Sequence, residues 1–344
     1  MIDWFRGEIP FLHDPLPAGR VLSIESDGEI EWEAPKKLTA RGSHESSIKI
    51  RSHGGDGNGF ATSLMIDGNL AKFLQGHNVF GSRDLNKLVF QAFQNIYWSH
   101  IQHFDGWSSP ELTEQKILRG DYLVKMLDVN QLYDLGNDAS VESWLHAAEM
   151  RARTRSGRAT RERGTVYLAK NSRRWAFKFY NKKRELLARG KSHQLPEQLQ
   201  GAGLDDYVDG KLRAELRLMS LELKDLGITH GYHVTEARLA SLFNDYIGRI
   251  DMNTQVTLID NKLLELPRTV QATHQLWKQG ASLSQLLTPP TFYRHRRILL
   301  ESGIDISVPP ASLDHSNVVP LIRVIEAKPV EIPQWAYDKK LIVV

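Results

Sequence analysis

Residues 164–185, GTVYLAKNSRRWAFKFYNKKRE, restrict the fold more than any other stretch of this chain. In the second half, Trp175, Phe177 and Phe179 fall on one face of an extended backbone, and Ala176, Lys178 and Tyr180 on the other. Period two with large aromatic members describes a strand with one buried face and, on the opposite face, a displayed tyrosine beside a lysine. Upstream, Val166 and Leu168 alternate with Thr165, Tyr167 and Ala169, and residues 171–174 make a turn. The stretch therefore predicts a β-hairpin that runs into a helix at Lys182.

Charge is concentrated around the same hairpin. Residues 151–184 carry 13 lysines and arginines against one acid, Glu162, a net of +12, so the rest of the chain stands at −9 against an overall +3. One cationic patch on an otherwise acidic chain suits a polyanionic partner better than it suits general solubility. Arg151, Arg153, Arg155, Arg158, Arg173 and Arg174 are the candidate contacts to nucleic acid in this segment. With no cysteine in 344 residues, disulfides, thiolate nucleophiles and thiolate metal sites are excluded. Any metal must sit on carboxylate, histidine or water, which favours Mg2+ or Mn2+. No apolar run is long enough to span a bilayer and the first residues lack signal-peptide features, so a cytoplasmic protein without membrane association is expected.

Short strand-like runs over residues 29–33, 37–40, 47–52 and 63–67 make residues 21–75 β-rich, with the glycine cluster at 54–59 as a hairpin loop. That loop lacks the spacing of a phosphate-cradling P-loop. Helices are expected over residues 83–104, capped by Ser82, and 140–150, capped by Ser140. His100 and His103 read as surface residues.

Residues 122–135 are apolar on both faces, as a central strand is, yet carry Asp128 mid-strand. A buried unpaired carboxylate costs several kcal/mol, so Asp128 needs a partner, either a metal or a basic side chain. Residues 211–219, KLRAELRLM, give a further strand with Leu212, Ala214, Leu216 and Leu218 on one face and Arg213, Glu215 and Arg217 on the other. Glu215 faces the same choice, a metal or a neighbouring cation. Two strand carboxylates, a tyrosine and a cationic surface suit phosphodiester chemistry, in which a phenolate attacks phosphorus. A phenol with an ordinary pKa near 10 needs help to ionise, and Lys178 and Lys182 are placed to supply positive charge.

LDVN at 127–130, the hairpin at 164–182, LRAELRL at 212–218 and the loop QGHNVFGS at 75–82 together resemble the filamentous-phage replication initiators. They are more distantly similar to plasmid rolling-circle initiators. The resemblance implies an α+β fold in which a Rep-like antiparallel sheet with flanking helices precedes a helical, helix-turn-helix-like region. It implies a metal-dependent endonuclease that nicks one strand of phage origin DNA through a tyrosine, leaves a 3′-hydroxyl and rejoins the displaced strand. Carried over, the nucleophile matches Tyr180, with Tyr167 as the alternative, and the metal-binding acids match Asp128 and Glu215. Host helicase, polymerase and single-strand binding protein are the implied partners. Two departures stand out: Asn181 replaces the plasmid family's aspartate, and no H-x-H pair occurs anywhere.

Residues 1–230 then form the catalytic domain and residues 231–310 a helical DNA-binding region. Within the latter, residues 270–306 read as helix, Gly280, short helix 282–287, a TPP turn, and a basic third helix ending at Gly303. Tyr293, Arg294, Arg296 and Arg297 on that helix are the candidate base and phosphate contacts. Residues 311–344 are β-prone and unassigned. A non-catalytic origin-binding protein is the competing reading, whereas a tyrosine recombinase lacks its H-x-x-R element.

Overall fold

The computed structural model describes residues 1–100, 104, 110–188, 194–251, 266–301, 304–308 and 329–343. In chain order its strands are β1 (Ile2–His13), β2 (Arg20–Ile24), β3 (Ile30–Pro35), β4 (Leu38–Arg41), β5 (Ser47–His53), β6 (Ala61–Gly68), β7 (Leu123–Asp134), β8 (Arg153–Thr154), β9 (Gly157–Arg158), β10 (Thr160–Glu162), β11 (Thr165–Leu168), β12 (Trp175–Asn181) and β13 (Lys211–Met219). Nine of them form one antiparallel sheet in the order β10-β11-β12-β13-β7-β1-β6-β5-β4. The α+β class follows, and the predicted hairpin, β11–β12, lies near one edge with β13 beside it.

Alternation decides the two faces of the sheet. Phe177 and Phe179 of β12, Leu212, Ala214, Leu216 and Leu218 of β13, and Leu127 and Val129 of β7 are buried in one core. Helices α2 (Leu85–Ser99), α4 (Asp138–Arg151) and α8 (Glu236–Ile247) cover that face. Trp144 of α4 meets Phe179 edge-on at 4.9 Å, and Phe243 of α8 meets Phe177 at 5.3 Å. Each such side chain contributes about 1.5–3 kcal/mol on burial, so the helices are held where the aromatic face requires them. The opposite face carries the polar members of the same strands.

Several sequence expectations shift. Central strand β1 lies outside them, because its register is broken at three places, between Ile2 and Trp4, Arg6 and Gly7, and Pro10 and His13. Bulges of this kind destroy the alternation that would reveal a strand. Gly7 is obligatory there, since a Cβ would lie 2.2 Å from the Phe5 ring and 2.5 Å from the Leu123 carbonyl. The cap of α2 is Asp84, which accepts from Lys87 N, rather than Ser82; that of α4 is Asn137, which accepts from Ser140 N, rather than Ser140 itself. In both cases an Asx side chain at another nearby position takes the exposed amide.

Downstream, helices Arg268–Lys278, Leu283–Leu286 and Pro289–Glu301 pack around Val270, Trp277, Leu283 and Leu299. The third begins at Pro289, and Gly303 lies outside the described residues. Within the tail, residues 334–338 form a short helix instead of a strand. Ala336 packs there with Val79, Phe80, Leu186 and Leu204 in a second cluster.

Candidate active site and nucleic-acid surface

Register brings the singled-out side chains together. Opposite β13, Lys178 of β12 pairs with Glu215 and Tyr180 with Arg213; on the other side of β13, Arg217 pairs with Asp128 of β7. All of these lie on the face away from the helices. Helix α5 (Lys182–Leu187) follows β12 directly, with Asn181 as N-cap accepting from Arg184 N at 3.1 Å.

Glu215 is the hub. Its Oε2 accepts from the Tyr180 hydroxyl at 3.2 Å, and its Oε1 pairs with Lys178 Nζ at 2.6 Å. Burial pushes the Glu215 carboxyl up to about 8, against the opposing pull of Lys178. Lys178 loses some charge stability to burial, but Glu215 and Asp128 more than restore it and hold it above the ordinary lysine range. Tyr180 is only 8% exposed, and burial with the nearby Glu215 charge raises its phenol well above 10. The displayed tyrosine expected from alternation is thus on the predicted face but buried, because the chain turns straight into α5 and the 77–80 loop packs close by.

That loop is held by residues outside the sequence-predicted site. Arg213, fully buried, donates to the carbonyls of Asn78, at 2.6 Å, and Val79. Asn78 Oδ1 accepts from Lys182 Nζ at 2.9 Å, and its amide donates to Asp3 at 3.1 Å. Lys182 is also buried and pairs with Glu185 at 2.6 Å; burial brings its ammonium down to about 8. Arg213 is visible in the sequence as a polar member of an alternating strand. Asp3, on a bulged strand, carries no local signal.

Asp128, 1% exposed, is bound edge-on by Arg217: Nε lies 2.9 Å from Oδ1 and Nη2 lies 2.6 Å from Oδ2. A basic side chain therefore satisfies Asp128, and Lys178 satisfies Glu215. Divalent ions such as Mg2+ and Mn2+ require several free oxygens. Here the oxygens of both acids are taken by cations or a phenol, and among the described residues no three carboxylate or imidazole groups converge to hold an ion. As folded, this donor set does not fit a divalent metal.

Much of the cationic segment is engaged in structure. Arg153 pairs with Asp251 at 2.7 Å, Arg161 with Glu142 at 2.8 Å, Arg184 with Asp138 at 3.0 Å, and Arg174 with Glu222 at 3.2 Å and with Asp225. Arg155, Arg158 and Arg173 are exposed, and Arg151 is half-buried at the end of α4; none of the four pairs with a described acid. On helix Pro289–Glu301, Tyr293 is 65% exposed, and Arg294 and Arg297 also face solvent. Arg296 instead grips Asp305 through two 2.7 Å bonds, which fixes the end of the helix. No helix of the described residues is long and apolar enough to cross a membrane.

Comparison with known proteins covers nearly the whole chain. Residues 1–237 match the family described as the N-terminal part of the phage replication-associated protein of the gene II type, and residues 258–342 match the family described as its C-terminal part. The chain is 43% identical to the replication-associated protein of Enterobacteria phage I2-2 over 340 residues, 98% of this chain and 96% of that protein. No solved structure matches it.

Proposed function

We propose, from the premise that this chain belongs to the gene II type family of phage replication-associated proteins, that it initiates rolling-circle replication of a filamentous phage genome by nicking and rejoining origin DNA through Tyr180. The observation that carries this reading is the Tyr180 hydroxyl donating to Glu215 while Lys178 holds the other carboxylate oxygen. A buried phenol does not ionise alone, so an adjacent base is required. Glu215 takes the hydroxyl proton as the phenolic oxygen bonds to phosphorus. The bond from phosphorus to the 3′ oxygen breaks, and that oxygen takes a proton from solvent to leave a 3′-hydroxyl. The 5′ phosphate stays on the tyrosine. Rejoining reverses these transfers.

Lys178 keeps Glu215 available as a carboxylate, and Lys182 and Arg213 place positive charge beside the phenol. The family resemblance also brings Mg2+ or Mn2+, which could reach Asp128 and Glu215 only by displacing Arg217 and Lys178; none of the steps above runs through an ion. Duplex and single-stranded origin DNA are the proposed ligands, with Arg155, Arg158, Arg173, Arg294, Arg297 and Tyr293 as accessible contacts. Host helicase, polymerase and single-strand binding protein follow as proposed partners.

The burial of Tyr180 and the internal neutralisation of both acids favour a second reading, a binding protein that marks the origin without cutting it. Incubation with single-stranded or supercoiled origin DNA and Mg2+ or Mn2+ separates the two. The first reading expects a covalent protein–DNA adduct that survives Tyr167→Phe and is lost in Tyr180→Phe with binding intact. Absence of any adduct leaves the binding reading, and an adduct in Tyr180→Phe moves the nucleophile elsewhere.

A further inference from the structure

The geometry points to Arg217 as a residue that grips a DNA phosphate, with Asp128 as the residue that positions it. This inference rests on the reading that a DNA strand lies along the polar face of the sheet. Asp128 engages one edge of the guanidinium, through Nε and Nη2. The other terminal nitrogen, Nη1, makes no hydrogen bond to another described residue, and the side chain is 35% exposed. A guanidinium fixed on one edge by a buried carboxylate has already lost its rotamer freedom in folding. An arriving phosphate oxygen then gains a charge-assisted hydrogen bond without that ordering penalty.

Position along the strands says which phosphate this is. Arg217 pairs with Ala176, four residues from Tyr180 on β12. At about 3.3 Å per residue, that is roughly 13 Å from the nucleophile. Arg217 therefore holds a phosphate beyond the one attacked, with Lys178 between them. The same device recurs further along the face, where buried Asp67 pairs with Arg6 at 3.0 Å and Lys37 at 2.6 Å. Trp4, the register partner of Asp128, donates to Asp67 at 2.9 Å and links the two sets. The face thus offers a lane of cations, each aimed by a buried acid.

The sign of one substitution decides the matter. Asp128→Asn removes a negative charge, so general electrostatics predicts tighter DNA binding, and a metal-ligand role predicts no change when EDTA is present. Positioning predicts weaker binding, because the guanidinium is no longer held. Binding of a fluorescent oligothymidylate in EDTA, titrated against salt, reads all three. Arg217→Gln is expected to bind about fivefold more weakly and to lower the salt slope by about 0.7, one single-strand phosphate contact. Asp128→Asn is expected to weaken binding about threefold, and the double variant to be no worse than Arg217→Gln alone. Equal or tighter binding by Asp128→Asn, or additive effects in the double variant, overturns the proposal. Should Asp128→Asn fail to fold, Arg217→Lys decides instead: it keeps the charge but loses the fork, so wild-type affinity there also overturns the proposal. None of these measurements involves cleavage, so their failure leaves the Tyr180 adduct standing, and loss of that adduct leaves them standing.

Discussion

Replacing Lys178 by methionine isolates the part it plays in ionising Tyr180. The methylene stem survives, and only the ammonium that meets Glu215 Oε1 at 2.6 Å is lost. A hydrogen bond between charged groups contributes about 1.5–3 kcal/mol, and the 28% exposure of Lys178 places this one in the lower half of that range. At about 1.36 kcal/mol per pKa unit, the Glu215 carboxyl should climb by roughly 1–1.5 units beyond its present value of about 8. A general base works only when deprotonated, so the nicking rate should rise with pH through about 8 in the wild type and through a midpoint roughly 1–1.5 units higher in Lys178→Met. Near neutral pH the variant should be about 10–30-fold slower and should recover in alkaline buffer. Stability moves in a definite direction too. A carboxyl raised in the folded state favours folding below its unfolded pKa, and that contribution fades as pH rises from about 4.5 to about 8. In Lys178→Met the fading should continue to higher pH. Initial nicking rates across the pH range, paired with thermal unfolding at each pH, measure both. A midpoint that stays put, or shifts toward acid, would falsify the assignment of Glu215 as the base.

Two further outcomes concern the surface and the core. Affinity for single-stranded DNA should fall steeply and linearly in log salt, because the exposed cations of residues 151–184 release counterions from several phosphates; a flat salt titration removes the DNA-contact role given to Arg155, Arg158 and Arg173. Gly7→Ala should destabilise the fold by about 1–3 kcal/mol or more, since the added methyl meets the Phe5 ring and the Leu123 carbonyl. A melting temperature within a degree of wild type would show that β1 can shift to admit it.

What is readable in the chain follows the physics of alternation. Strands β12 and β13 stand out because aromatic and aliphatic residues alternate without interruption, and β7 because it is apolar with one acid inside it. Their mutual register, which sets Lys178 against Glu215 and Arg217 against Asp128, is a tertiary property with no local signature. For that reason the choice between metal and cation stays open until the strands are aligned. Strand β1 hides behind Gly7, Pro10 and three register breaks, and Asp3 is lost with it. The basic segment is plain as charge, but acids distant in sequence, Asp251 for Arg153 and Glu222 for Arg174, decide which of its cations remain accessible. Arg213 is visible as a strand residue; that it reaches across 135 positions to the carbonyl of Asn78 is not.

The 77–80 loop has one more brace. His77 Nε2 lies 2.8 Å from the carbonyl of Leu341, and Val343 N donates to Gln75 Oε1 at 3.1 Å. These contacts join residues more than 260 positions apart, among the most distant in the chain. Long-range contacts form late because their loops are expensive to close. During synthesis the loop emerges early, gains its grip from Arg213 only after β13 is made, and waits for residues 341 and 343 before its outer side is secured. Assembly around Tyr180 is therefore ordered in time: the surroundings of the nucleophile are completed from the far end of the chain, so a ribosome-bound intermediate carries the tyrosine, the glutamate and the lysine without the finished geometry that joins them.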